Sequence, residues 1–290
     1  MNGQQRLVID RDEFLKGMSS GVEANDGGFS PDSEAVNLTI EPGVVFAPPA
    51  QANIDTNVTL TDEVIATSPD MVTFAGINRL LVTEDKKYYS YDGTVLSAAT
   101  AEGGTASTYA KGFTDIITFA GEAYVTTKER IKRWQSTFTI TDLVGGGFTS
   151  TNRPHPALVF ENNAFYGDGN LLLRQTAANG APATILTLSS DQEILALGID
   201  LGTGKMLIST VSSLNVSGTK PQIARLHWYD GFSNKTLKVI IIDAPIYGFH
   251  NLGGVTFVGY GQSVGYLSGS GIQFLRSLVD TTLASDQLPY

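Results

Sequence analysis

Three carboxylates raise the question of chemistry first. Asp115, Asp200 and Asp243 each border an apolar run. A glycosidase needs two such groups across the scissile bond, one to protonate the leaving oxygen and one to assist attack. Aspartate also caps turns for local hydrogen-bonding reasons, and the sequence alone does not bring these three together. The three histidines, His155, His227 and His250, are dispersed along the chain. His155 sits between two prolines in an expected loop, and His227 precedes Trp228 in an expected strand. No two stand at metal-ligand spacing, so each reads as an isolated structural residue.

Two loops imitate ligand sites. Gly202-Thr203-Gly204-Lys205 resembles a phosphate loop, but its first glycine is misplaced and Met206 stands where a metal-binding hydroxyl belongs. It reads as a hairpin tip. Asp168-Gly169-Asn170, with Asn162 and Asn163, offers oxygens of the kind a calcium loop uses. Turn chemistry explains the same residues. Trp134, Trp228 and the tyrosines are candidates to stack on sugars. No catalytic, cofactor-binding or metal-ligating residue is assigned from these patterns, and no enzyme activity is expected.

The elements that would position such groups are short strands. From Met71 to Thr94 the chain alternates through Val72, Phe74 and Ile77, then Leu80–Val82, then Tyr88–Tyr91. Polar tips at Glu84–Lys87 and Asp92-Gly93 break the pattern. Runs of this length are antiparallel hairpins. The unit recurs. Phe-Ala-Gly begins at Phe74 and again at Phe119, 45 positions on (119 − 74), and Phe160 follows after 41 (160 − 119). Further units are expected near Leu195–Gly198 and Tyr247–Phe249. Tyr91-Asp92-Gly93 returns as Tyr229-Asp230-Gly231, 138 positions later (229 − 91). A period in the forties made of short strands marks a β-propeller blade. One small sheet has two apolar faces and cannot bury both alone, whereas radial stacking buries them. The expected fold is therefore all-β, a β-propeller of about five four-stranded blades. A pair of β-sandwiches is the alternative. The expected divisions are an extended N-terminal arm over residues 1–50, the propeller over 51–278 and a tail over 279–290.

Three local expectations follow. The KERIKR phrase at Lys128–Arg133 alternates charge and reads as a solvated strand face. Gly145–Gly147 reads as a loop. Val239–Ile242, the longest apolar stretch, has the length of a buried strand.

Composition bounds the function. Of 290 residues 42% are hydrophobic and 17% charged, which suits a globular core. The formal charge of −10 does not suit wrapping of nucleic acid by phosphate neutralisation, so no sequence-specific nucleic acid binding is expected. Cysteine is absent, which removes disulfides and thiolate metal sites. The N-terminus shows no apolar core of a signal peptide, and no run reaches the roughly 18 apolar residues of a membrane span. The expected site of synthesis is the cytoplasm, without secretion.

The first fifty residues have a different texture. Arg11–Met18 fits one helical turn, and Val36–Ile40 with Val44–Phe46 fit two short strands. Phe14, Gly17, Gly28, Phe29, Asn37, Gly43, Pro48 and Pro49 form a loose phrase. It resembles the opening of β-propeller tail and neck proteins of tailed bacteriophages. That resemblance implies a virion structural protein of the tail or neck, such as a nozzle, adaptor or tail-associated ring. Its implied partners are other virion proteins and copies of itself. Phe14, Met18, Phe29, Pro48 and Pro49 are then the interaction candidates. A carbohydrate-binding propeller and a propeller glycoside hydrolase are the alternatives.

Overall fold

The computed structural model describes residues 39–41, 44–46, 64–68, 71–111, 114–151, 153–212, 223–261, 263–268 and 271–277. All the named elements in this range are β-strands, and no helix there is long and apolar enough to cross a membrane. The chain divides into two units, Met1–Ile54 and Asp55–Tyr290. The described part of the first is one hairpin, β1 (Thr39–Glu41) against β2 (Val44–Phe46), paired from Thr39↔Phe46 to Glu41↔Val44.

The second unit holds five antiparallel sheets. Blade 1 contains β3 (Ala66–Thr67), β4 (Val72–Phe74), β5 (Ile77–Glu84), β6 (Lys87–Tyr91) and β7 (Thr100–Ala101). Both β3 and β4 pair with β5, so the inner edge is a single strand in two pieces. Blade 2 is β8 (Ile116–Phe119), β9 (Glu122–Thr126), β10 (Arg130–Trp134) and β11 (Ile140–Gly147). Blade 3 is β12 (Ala157–Phe160), β13 (Asn163–Asp168), β14 (Leu171–Gln175) and β15 (Ala183–Thr187). Blade 4 is β16 (Gln192–Asp200), β17 (Lys205–Ser212), β18 (Ala224–Tyr229) and β19 (Lys238–Ile242). Blade 5 is β20 (Ile246–Leu252), β21 (Val255–Tyr260), β22 (Ser263–Ser268) and β23 (Gly271–Ser277). Blades 2 to 5 pair their strands in chain order, and the five blades stand in a ring. The fold is a five-bladed β-propeller.

The repeat seen in the sequence is a repeat of turns. Phe74, Phe119 and Phe160 each end the first strand of their blade and pair with Ile77, Glu122 and Asn163. Between each pair lie two residues with positive φ: Ala75 and Gly76, Ala120 and Gly121, Glu161 and Asn162. Two-residue hairpins of this hand match the right-handed twist of the strands they join. Leu252 occupies the same place in blade 5, ahead of Gly253 and Gly254. The Tyr-Asp-Gly pair is equally faithful. Asp92 accepts from the N–H of Thr94 and Val95, and Asp230 from that of Phe232 and Ser233. Both follow the third strand, in blades 1 and 4.

The core lies between blades. Alternate residues of one strand serve two interfaces. On β9, Ala123 and Val125 pack with Phe74, Leu81 and Tyr88 of blade 1, while Tyr124 packs with Ala164 and Tyr166 of blade 3. On β17, Met206 and Ile208 face blade 3 and Leu207 faces blade 5. Four apolar clusters fill the boundaries 1/2, 2/3, 3/4 and 4/5. Among the described residues no fifth cluster joins blade 5 to blade 1.

The structure corrects three sequence readings. KERIKR is not a solvated face. Its Lys132 is fully buried, and Nζ lies 2.9 Å from Glu102, 2.8 Å from Asp142, and 3.0 and 2.5 Å from the carbonyls of Gly103 and Thr105. The connection from blade 1 to blade 2 crosses this strand and covers it. Glu129 strengthens the same latch by accepting from the Thr108 N–H at 2.7 Å. Gly145–Gly147 is not a loop but the end of β11. Gly146 sits tight against Leu143 and Ile131, where a Cβ would come within 3.0–3.2 Å of three atoms. Third, Val239–Ile242 is not a buried strand. It makes up most of β19, the outermost strand of blade 4, and Ile241 is 74% exposed.

Candidate functional site

The first strands of all five blades surround one axial cavity of about 470 Å³. Val72, Ile116, Leu158, Ala196 and Phe249 represent the five blades on its wall, which is mainly aliphatic and, among the described residues, carries neither lysine nor arginine. Among the described residues its one carboxylate is Asp115. This side chain is half-buried on the cavity wall. Oδ1 accepts from the Ile116 N–H at 2.8 Å and Oδ2 from the Ala157 N–H at 3.0 Å, which ties blade 2 to blade 3. Burial pushes its pKa up, and the two N–H donors oppose that in part. Among the described residues on this wall it has no second carboxyl beside it. Glycoside hydrolysis needs a second carboxyl about 5–9.5 Å away.

The other two candidate aspartates do not join it. Asp200 ends β16 and caps the β16–β17 hairpin. It accepts from Trp228 Nε1 at 2.8 Å, the Thr203 hydroxyl at 2.7 Å and the Gly202 N–H at 2.9 Å. Burial pushes its carboxyl up, but these donors outweigh it and leave the group below its ordinary value. Gly202–Lys205 is therefore a hairpin tip, with no helix to present to a phosphate. Asp243 is exposed just after β19.

Two of the histidines and Asp168 are held by protein partners. His155 is buried between blades 2 and 3, stacked on Phe148 with ring centroids 3.7 Å apart. Its Nδ1 lies 2.9 Å from the Gly167 carbonyl and Nε2 3.2 Å from that of Lys128. A neutral ring donates to only one of these. Burial holds its pKa low against the pull of the carbonyls. His227 contacts the Thr210 hydroxyl at 3.1 Å, and burial, then the Arg225 charge, bring it down to about 4. His250 is exposed on β20. Asp168 accepts from the Thr149 N–H and hydroxyl and from the Ser150 N–H, a bond set that fastens blade 3 to the incoming connection.

The tryptophans are equally committed. Trp134 is fully buried against Phe74 and Tyr88, and Trp228 is 8% exposed under Lys238, whose Nζ lies 4.3 Å from its ring centroid. Neither tryptophan offers a face to a sugar, whereas Tyr247, on the cavity wall, is 49% exposed. Phe14, Met18, Phe29, Pro48 and Pro49 lie outside the described residues.

A candidate interaction surface comes instead from a stretch that sequence reading assigned to the interior. Strand β19 pairs with β18 from Trp228↔Lys238 to Ala224↔Ile242, and its other edge is free among the described residues. Ile240 and Ile242 turn towards blade 5 and pack there. Leu237, Val239 and Ile241 turn the other way and are 55%, 46% and 74% exposed. Phe232, in the loop before them, is 58% exposed. Natural edge strands are commonly blunted by proline, a bulge or an inward charge. Strand β19 contains no proline, keeps regular register and presents aliphatic side chains.

With the geometry in hand, known proteins add a likeness of fold. No family model matches the chain and no curated protein matches it. Among solved structures it is similar to the Dos1 propeller, at 10% identity and a TM-score of 0.47, over 83% of this chain and 63% of that one. It is similar to a protein assigned as a gluconolactonase, at 12% identity and a TM-score of 0.44, over 70% and 73% of the two chains. The N-terminal domain of Nup159 is similar at 11% identity and a TM-score of 0.42, over 76% and 63%.

Sequence reasoning missed the β19 face because composition alone cannot tell a strand buried between blades from one at the rim. One signal was present. Lys235, Lys238 and Asp243 bracket the run at both ends, as charges often do where a strand borders solvent.

Proposed function

We propose that this chain is a structural subunit of a larger protein assembly, and that the assembly is the tail or neck of a tailed bacteriophage particle. The observation that carries the first part is the β19 edge. An exposed apolar row made by Leu237, Val239 and Ile241 is costly to leave in water and marks an interaction site when it occurs on a folded domain. A strand edge with unpaired backbone groups is a ready template for a second chain. The second part is supported by the phrase from Phe14 to Pro49 and its resemblance to the opening of phage tail and neck propellers. On this reading the chain catalyses nothing. It acts in the virion, after synthesis in the host cytoplasm, and binds virion proteins through its rim.

The test is mass spectrometry of particles purified from a lysate of the host that carries the gene. Peptides of this chain are expected at several copies per particle, and they should stay with the tails when heads and tails are separated. Their absence from purified particles refutes the virion reading.

A further inference from the structure

We propose that β19 is a self-association strand, and that a second copy of this chain pairs with it antiparallel across a two-fold axis at Ile240. The proposal rests on the assembly reading above and names the partner that the rim takes.

Three observations select a second copy. The first is symmetry. Two identical strands joined by a two-fold axis normal to the sheet run antiparallel and keep the same side chains on the same face. With the axis at Ile240, Val239 stands opposite Ile241 of the partner copy and Ile241 opposite its Val239. The two exposed aliphatic faces then form one patch, flanked by Leu237 of each copy. The second is charge. Lys235 and Lys238 lie at the start of the strand and Asp243 at its end. Antiparallel self-pairing sets each basic end beside the partner's acidic end, so the strand is complementary to itself. The third is backbone. Along Lys238–Ile242 alternate residues aim their N–H and C=O groups away from β18, where no strand pairs with them among the described residues, and an identical edge satisfies both sets. The even-numbered side chains stay where they are, because Ile240 and Ile242 are already packed against blade 5. Association therefore needs no rearrangement within the blade.

The experiment uses the full chain. Sedimentation velocity over a range from tens of nanomolar to about 50 µM should show a species of twice the 30.9 kDa chain mass growing with concentration. Ile241→Lys and Val239→Lys change exposed positions, so the fold is retained, as circular dichroism will show. Each places like charges together at the axis and is expected to weaken self-association by roughly 100-fold or more. Register is tested by disulfide trapping, which is clean because the chain has no cysteine. Val239→Cys or Ile241→Cys alone should not cross-link. A mixture of the two should, because residue 239 of one copy faces 241 of the other. A chain that stays monomeric at 50 µM overturns the proposal, as does a dimer unaffected by Ile241→Lys or a mixture that fails to cross-link. A monomer that is nevertheless found in purified tails overturns self-pairing and leaves the assembly reading standing.

Discussion

Replacing Lys132 by Met removes the centre of the latch between blades 1 and 2. The ammonium is fully buried and meets two carboxylates and two carbonyls. Its loss leaves Glu102, whose side chain is 7% exposed, as a buried charge without its main counter-ion. Breaking one side of a buried ion pair costs about 3–5 kcal/mol, because the remaining charge keeps its desolvation penalty. For a domain of this size 1 kcal/mol moves the melting temperature by roughly 2–4 °C, so a fall of roughly 6–20 °C is expected. Arg130→Ala is the control. Its partner Asp142 is 28% exposed and keeps Lys132, so that change should cost no more than about 1 kcal/mol. Adding Glu102→Gln to Lys132→Met should recover part of the loss, since it removes the stranded charge. The assay is thermal unfolding by circular dichroism, with limited proteolysis reporting cleavage within residues 102–110. A Lys132→Met protein that melts within 2 °C of the parent would refute the argument.

Three further outcomes are expected. His227 is buried neutral with its pKa brought down to about 4, so the stability it contributes is complete above about pH 6.5 and drains as pH falls towards 4. The full effect is of order 3 kcal/mol, and His227→Gln should flatten the pH dependence of the urea midpoint across that window; an unchanged slope counts against it. Gly198→Ala would bring a Cβ to 2.4–2.6 Å of three Phe249 atoms, so a loss of about 1–3 kcal/mol or more is expected in chemical denaturation, with partial rescue by Phe249→Leu. In hydrogen exchange, amides of β21 should exchange well before those of β17. The latter strand is buried almost throughout, while β21 has a core cluster on one face only among the described residues. Equal rates on the two strands would show that the ring opens as one unit.

What the sequence made legible was periodic and local. Two-residue turns with positive φ leave a mark at fixed spacing, and Phe74, Phe119 and Phe160 were readable because each precedes such a turn. Asp92 and Asp230 were readable because they bond to their own next neighbours. What escaped was long-range. Lys132 looks solvated until a connection thirty residues upstream is laid over it, and nothing in KERIKR reports that cover. Val239–Ile242 looks buried because aliphatic runs usually are, and strand order within a blade, not composition, put it at the rim. The aspartate candidates failed for the same reason. Asp115, Asp200 and Asp243 are alike as residue types, and only the fold separates a cavity wall, a hairpin cap and an exposed bend.

The division of each strand between two neighbours has a mutational consequence. Tyr124 and Val125 are adjacent along the chain yet answer to blades 3 and 1 respectively, so substitutions at the two sites perturb different joints. Val125 and Leu81, far apart in the chain, share one cluster and should not be independent. In such a ring the unit that must stay matched is the joint between two blades and not a continuous segment of chain.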